Sequence, residues 1–149
     1  MKAAALLLLV LSAPSDPRVE WIRAARDAHE MADQSLAHAQ PGAARDALKT
    51  FLDLPVPTTL SRSDAIDVEQ DVWFRVADLD LGLGDAAAAR DDAKHGLDLA
   101  GAGLFEANLY IVRGRAFELL HDDRAAIADY QEAQRINELL LAQAVENKP

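Results

Sequence analysis

A recurrence of residue types at a spacing of 37 is the feature of this sequence that most constrains its fold. Large apolar, small and acidic residues return in one register over eight matched positions. The series Trp73, Ala77, Leu83, Asp85, Ala89, Ala93, Gly96 and Leu99 is followed by Tyr110, Gly114, Leu120, Asp122, Ala126, Tyr130, Ala133 and Ile136. A weaker copy, 42 residues upstream, comprises Met31, Ser35, Gly42, Ala47, Phe51 and Leu54. We therefore expect consecutive copies of one supersecondary unit.

The residues between the turn signals favour helices over strands. Ala and Leu dominate and aromatic residues make up only 5%, and Ala and Leu lose less side-chain freedom in a helix than β-branched or aromatic residues do. Proline, glycine and capping residues divide the chain into six predicted helices. The first predicted helix begins at Pro17 and stops at Gln40, and the second covers Ala43 to about Asp53. The third is capped by Ser63 and Asp64 and closed by Gly82 and Gly84, and the fourth begins at Asp85 and is ended by Gly101 and Gly103. The fifth covers about Leu104 to Leu120, and the sixth begins at Asp122 and meets no helix-breaking residue before Asn147. No segment alternates like a strand, so the predicted class is all-α.

The repeat is clearest between residues 107 and 138. Tyr110 opens one helix, Gly114 follows it, and Ala126 and Ala133 lie on the next helix. This pattern resembles the tetratricopeptide repeat, a helical hairpin with a period of about 34 residues, in which small residues let two helices cross closely. The resemblance implies about three hairpins in residues 16–149, stacked as a short right-handed α-solenoid. Asp80 stands where the family has an aromatic residue.

The resemblance also implies a function and the face that performs it. Tetratricopeptide repeats hold a peptide or a protein surface in a groove lined by the first helix of each hairpin. The positions assigned to this groove are Asp71, Phe74, Arg75, Asp78, Leu81, Asn108, Ile111, Arg115, Glu118 and Leu119. Their mixture of apolar and basic side chains suits an amphipathic helix or an extended segment. The predicted function is a non-catalytic adaptor that binds a protein or peptide partner.

Charge and composition exclude several other functions. The formal net charge is −10, with 15 basic residues interspersed among 25 acidic ones, whereas a nucleic-acid site needs Lys and Arg gathered on one face. The absence of cysteine removes thiolate metal sites and catalytic thiols. No serine lies in a nucleophile-elbow context. We therefore expect no nucleic acid, no catalysis and no cofactor.

Two carboxylate and histidine pairs were weighed as metal ligands. Glu118 and His121 on one helix, and Asp92 and His95 on another, have the i, i+3 spacing found in di-iron bundles. The two pairs occupy different places in the repeat, so repeat symmetry does not bring them together. They are predicted to be solvated helix surface, and a metal-binding protein or an enzyme is the least favoured alternative.

The N-terminal residues 1–15 form a segment of their own. Lys2 precedes an apolar run from Ala3 to Leu11, and small residues follow at Ala13 and Ser15. This order is typical of a secretory signal peptide, which would place the protein in the periplasm or outside the cell. The alternative is an apolar first helix in a cytoplasmic protein. Either way the run is too short to span a bilayer, and membrane contact is expected only through a signal.

The predicted C-terminal helix has apolar residues on more than one face. At about 100° per residue, one stripe, expected to be buried, comprises Ala126, Ala133, Ile136, Leu140 and Ala144. A second stripe comprises Ile127, Tyr130, Leu141 and Val145. Terminal repeats normally carry a polar outer face, so this stripe predicts a cover, either a second subunit or the segment from Leu6 to Leu9. A self-associating structural protein, such as a homodimer, is therefore the alternative function.

Overall fold

The computed structural model describes residues 15–99 and 105–146, and within these ranges it contains six α-helices and no strand. The helices are α1 (Pro17–Ala37), α2 (Pro41–Leu52), α3 (Arg62–Gly82), α4 (Ala86–Asp98), α5 (Glu106–Leu119) and α6 (Asp123–Glu146). The all-α class and the order of the helices, predicted above, are confirmed. The predicted signal segment and the run from Leu6 to Leu9 lie outside the described residues. No described helix is long and apolar enough to cross a membrane.

The starts of α4 and α6 are set by matching aspartates. Asp85 Oδ1 accepts a hydrogen bond from the backbone N of Ala88 (3.0 Å), and Asp122 Oδ1 accepts one from Ala125 (3.1 Å). Each carboxylate satisfies a backbone N–H that the first helical turn leaves unpaired. The predicted helix openings at Asp85 and Asp122 are confirmed.

The start of α3 lies earlier than predicted. Ser61 is the N-cap, and its Oγ accepts from the backbone N of Asp64 at 3.1 Å. Ser63 lies inside the helix, where its Oγ is 3.1 Å from that of Ser61. Two serines in one short stretch offer the same capping chemistry, so the sequence alone did not distinguish them. The helix thus gains most of one turn before Asp64.

The turns inside the three hairpins close in the same way. Each has one residue in the left-handed region, namely Ala39 (φ 56°), Gly84 (φ 81°) and His121 (φ 59°). In each, the next backbone N–H donates to a carbonyl five residues back, and all three N–O distances are 2.9 Å. This bond satisfies one of the last carbonyls of α1, α3 or α5. The hairpins therefore share their turn geometry as well as their residue pattern.

The helices pack in neighbouring pairs and form three successive apolar clusters. The first, from α1, α2 and α3, includes Trp21, Leu48, Phe51, Val72 and Val76. The second, from α3, α4 and α5, includes Ala77, Leu81, Ala93, Leu109 and Val112. The third is small, with Ala107 of α5 and Ala133 and Ile136 of α6, and Tyr110 packed against them. The architecture is thus helical-repeat-like, and each of the first two hairpins shares its apolar cluster with the first helix of the next hairpin.

Glycines allow the closest helix crossings. A Cβ added to Gly96 would lie 2.8 Å from Leu109 Cδ1 and 2.9 Å from Trp73 Cβ, and one added to Gly114 would lie 2.6 Å from the Tyr130 ring. All three distances are shorter than van der Waals contact. The predicted close approach at Gly114 is confirmed.

Candidate functional site

The first helices of the three hairpins lie side by side and are joined by ion pairs. We call the side formed by α1, α3 and α5 the A face. Arg75 on α3 pairs with Asp33 on α1 at 2.6 Å, and Arg115 on α5 pairs with Asp78 on α3 at 3.0 Å. These ion pairs join neighbouring helices of the A face. Whether the face binds a partner stays a prediction.

A half-buried histidine stands at the centre of the α1 and α3 contact. Arg75 Nη1 lies 2.7 Å from His29 Nδ1, and His29 Nε2 lies 3.4 Å from an Asp71 carboxylate oxygen. Because arginine only donates hydrogen bonds, Nδ1 accepts and the proton of the neutral ring is on Nε2. Burial lowers the pKa of His29, and the Arg75 charge acts in the same direction against the attraction of Asp71 and Asp33. This cluster is therefore a neutral imidazole held between two charged groups.

Beside this cluster lies an apolar depression of about 280 Å³. Its walls include Ile22 and Ala25 of α1, Val68 of α3, and Phe105 just before α5. His29 and Asp71 form one edge, and Arg26 and Asp67 also contribute. The A face thus combines an apolar hollow with a charged, ordered rim.

The groove positions predicted on α3 divide into two groups. Asp71, Arg75 and Asp78 lie on the A face in the contacts given above. Phe74 is partly buried against the second apolar cluster. Leu81 is only 9% exposed and belongs to that cluster, so its assignment to the groove was wrong. Leu81 turns towards α4 and α5 because it lies one helical turn after Ala77, which is fully buried there.

The groove positions predicted on α5 are mostly accessible. Asn108, Ile111, Arg115, Glu118 and Leu119 are all exposed. Glu118 accepts a 2.6 Å hydrogen bond from the hydroxyl of Tyr130 on α6. Desolvation and this bond raise the pKa of Tyr130 to about 12.

The apolar stripe proposed for self-association is exposed along most of its length. Ile127 is 57% exposed, and Leu141 and Val145 are each 66% exposed, whereas Tyr130 is partly buried. Within the described residues nothing covers these side chains. Whether a second subunit does so stays a prediction.

The stripe expected to be buried is buried only in its first part. Ala126, Ala133 and Ile136 are buried, but Leu140 is 40% exposed and Ala144 is also exposed. The prediction was wrong for these last two. Helix α6 has 24 residues and α5 only 14, so the end of α6 extends past the helix that would cover it.

A buried polar cluster between α2, α3 and α4 was not predicted. Arg45 pairs with Asp80 at 3.2 Å and Lys49 pairs with Asp92 at 2.7 Å. Burial, followed by the neighbouring Asp92 carboxyl, raises the pKa of Asp80 to about 6. The signal in the sequence was Asp80 in the place of an aromatic residue.

The carboxylate and histidine residues with the spacing of metal ligands make other contacts in the fold. Asp92 is only 7% exposed, so its prediction as solvated surface was wrong. His95 stacks on the Trp73 ring at 5.1 Å, and Glu118 contacts Tyr130. Over residues 15–99 and 105–146, no group of three or more His, Asp or Glu side chains is placed to hold a metal ion.

The fold and the A face define a class, an all-α protein of paired helices with a helical-repeat-like architecture. A comparison with protein-family models finds no match for the chain, and neither does a comparison with curated protein sequences.

Proposed function

We propose that this protein is a non-catalytic binding module that holds a segment of another protein on its A face. The observation that carries the proposal is the apolar depression between α1 and α3 next to an ordered polar rim. Protein-binding surfaces typically place an apolar anchor pocket inside a polar border. The resemblance to tetratricopeptide repeats, which bind on the corresponding side, supports the same function.

The chemistry of the depression indicates what kind of segment it binds. Ile22 is 42% exposed, so an apolar side chain of the partner would remove it from water. The internal pairing of Arg75 with Asp33 and of Arg115 with Asp78 leaves little unsatisfied charge for a terminal carboxylate. A segment with one or two apolar anchors and uncharged polar neighbours therefore fits best.

Selection of peptides on the full-length protein tests this function. The probe is a displayed library of random dodecapeptides, and selected peptides are then measured by fluorescence anisotropy. We expect peptides with a recurrent large apolar residue, whose affinity falls at least about tenfold in Ile22→Glu because a charge enters the depression.

The matched control is Met31→Glu. Met31 is also on α1 and 56% exposed, but it lies on the opposite side of the helix from Ile22. Its affinity for the selected peptides should be unchanged. Selected peptides that bind Ile22→Glu as tightly as the wild type would move the binding site away from this depression.

A further inference from the structure

The outer side of the last hairpin carries an open groove that the A-face function does not use. This groove has a volume of about 400 Å³ and lies between α5 and α6, lined by Ile111, Tyr130, Ala133 and Leu141 with Gln134, Asn137 and Glu138 at its edge. We call it the terminal groove. Its lining is almost entirely apolar, although it faces solvent.

The internal repeat shows what such a groove contains elsewhere in the molecule. Ile111, Tyr130 and Ala133 correspond, 37 residues earlier, to Phe74, Ala93 and Gly96. There the groove is filled by α5, whose buried stripe is Leu109, Val112 and Ala116. In the first hairpin the same position is filled by α3, through Val72 and Val76. A helix with an apolar stripe therefore completes both earlier grooves.

The ion pairs of the A face follow the same repeat. Asp33 and Arg75 are 42 residues apart, and Asp78 and Arg115 are 37 apart, so each acid pairs with the arginine at the matching position of the next A-face helix. Three residues after each arginine, the same helix carries another acidic residue. This residue is Asp78 on α3 and Glu118 on α5. This series predicts a basic residue opposite Glu118.

No described residue provides that charge. Among residues 15–99 and 105–146, no Arg or Lys forms an ion pair with Glu118, and its hydrogen-bond partner is the Tyr130 hydroxyl. The Glu138 carboxylate at the groove edge accepts from Gln134, a neutral amide. The groove is thus apolar at its centre and acidic at its border, which favours a basic occupant.

A second copy of this protein fits this border poorly. Two copies would each carry a formal net charge of −10. The repulsion between two such charges disfavours contact between two copies.

We infer that the terminal groove docks an amphipathic helix of another protein, with apolar residues at i, i+3 and i+7 and an Arg or Lys opposite Glu118. The docked helix takes the place that α5 takes on the preceding hairpin. This surface is separate from the A-face depression, so the two proposals stand or fall independently.

The probe is a synthetic, fluorescently labelled peptide with the sequence of residues 105–122 of this chain and the substitutions Arg115→Gln and Glu118→Arg. In the place that α5 takes on the preceding hairpin, Arg115 faces Asp78, 37 residues earlier, so a peptide docked one hairpin later sets its position 118 opposite the protein's Glu118. The peptide keeps the stripe Leu109, Val112 and Ala116. Added to the full-length protein, it should bind, and Leu141→Lys should weaken the binding at least about tenfold. Leu139→Lys is the matched control, since Leu139 is also exposed but does not line the groove. Its affinity should be unchanged.

A charge exchange tests the pairing with Glu118. The protein variant Glu118→Arg should lose about fivefold in affinity for this probe. A second peptide that carries Arg115→Gln but keeps Glu118 should bind the wild-type protein weakly and the Glu118→Arg protein better. The same affinity in all four combinations overturns the inference.

Two further outcomes also overturn it. In the first, light scattering shows a wild-type dimer that Leu141→Lys dissociates, and the peptide does not bind, so the occupant is a second copy. In the second, the peptide binds only after Leu7→Lys and Leu8→Lys are introduced into the full chain, so the occupant is the chain's own N-terminal run.

Discussion

At the scale of single residues, the position least expected from the sequence is Asp80. A carboxylate at an aromatic position was visible as a departure from the repeat, but its partners were not. Arg45 is 35 residues away and lies on a different helix. Asp92 lies on the buried side of α4, with Ala89 and Gly96, and its carboxylate pairs with Lys49 of α2. Such a cluster depends on the relative rotation of three helices, which a periodic pattern does not determine.

The buried carboxyl of Asp80 makes stability depend on pH. Burial and the Asp92 carboxyl raise its pKa from 3.8 to about 6, against the hydrogen bond from Arg45. The folded protein therefore holds this proton more tightly than the unfolded chain does. Its contribution to stability is complete below about pH 4 and is lost as the pH rises through 6.

The variant Asp80→Asn should show this dependence by difference. Asparagine cannot ionise, so the variant does not lose this contribution as the pH rises. The melting temperature of the variant minus that of the wild type should therefore increase from roughly pH 4.5 to pH 7.5, the range set by the pKa values of the unfolded and folded states. Loss of the Arg45 contact changes the melting temperature of the variant by a similar amount at every pH, so it does not alter how the difference varies with pH. Thermal unfolding followed by circular dichroism measures both proteins, and a difference that stays constant over this range would contradict the raised pKa.

At the scale of helices and turns, the sequence predicted the elements well and their ends less well. Asp85 and Asp122 are the clearest capping residues, and both helices begin where they indicate. The second helix starts at Pro41 rather than Ala43, because proline is well suited to a first helical position as well as to ending the preceding helix. The left-handed residues Ala39 and His121 were not predicted, because neither residue type indicates a positive φ.

Exchange of residues between two equivalent turns tests this geometry. His121 corresponds to Gly84 at the spacing of 37, and both have positive φ. A non-glycine residue in this region costs about 1 kcal/mol. We therefore expect His121→Gly to stabilise the fold by about 0.5–1 kcal/mol and Gly84→Ala to destabilise it by about 1 kcal/mol. Urea denaturation measures both changes, and a His121→Gly protein less stable than the wild type would indicate that the imidazole makes a contact that the turn needs.

At the scale of the whole molecule, the repeat predicted which helices are neighbours but not how their charges are arranged. The pairing of Asp33 with Arg75 and of Asp78 with Arg115 follows from two different spacings, 42 and 37. Each pair had one or both members among the predicted groove residues. Their mutual pairing became visible only when α1, α3 and α5 were placed side by side. The depression and its rim thus depend on the three-dimensional arrangement of these helices, which the repeat spacing does not determine.

Because the first two hairpins each share an apolar cluster with the next one and the third has only a small cluster, the molecule should open from its C-terminal end. The first two apolar clusters are large, whereas the third depends on Ala107, Ala133 and Ile136. Helix α5 is also held by Leu109 and Val112 in the second cluster, whereas α5 is the only described helix that α6 contacts. In linear repeat proteins, local stability follows such nearest-neighbour contacts. The amides of α6 should therefore exchange with solvent faster than those of α1 to α4.

The variant Ile136→Ala makes this expectation quantitative. Ile136 is 7% exposed, and removing its side chain from a packed site costs about 2–5 kcal/mol. In hydrogen exchange resolved by mass spectrometry, we expect the loss of protection to be confined to α6 and the end of α5. Leu48→Ala, in the first cluster, is the matched control and should reduce protection in α1 and α2. If Ile136→Ala instead lowers the protection of all six helices equally, the chain unfolds as one cooperative unit. In that case the weak third cluster would not set the order of opening, and α6 would be as firmly held as the helices before it.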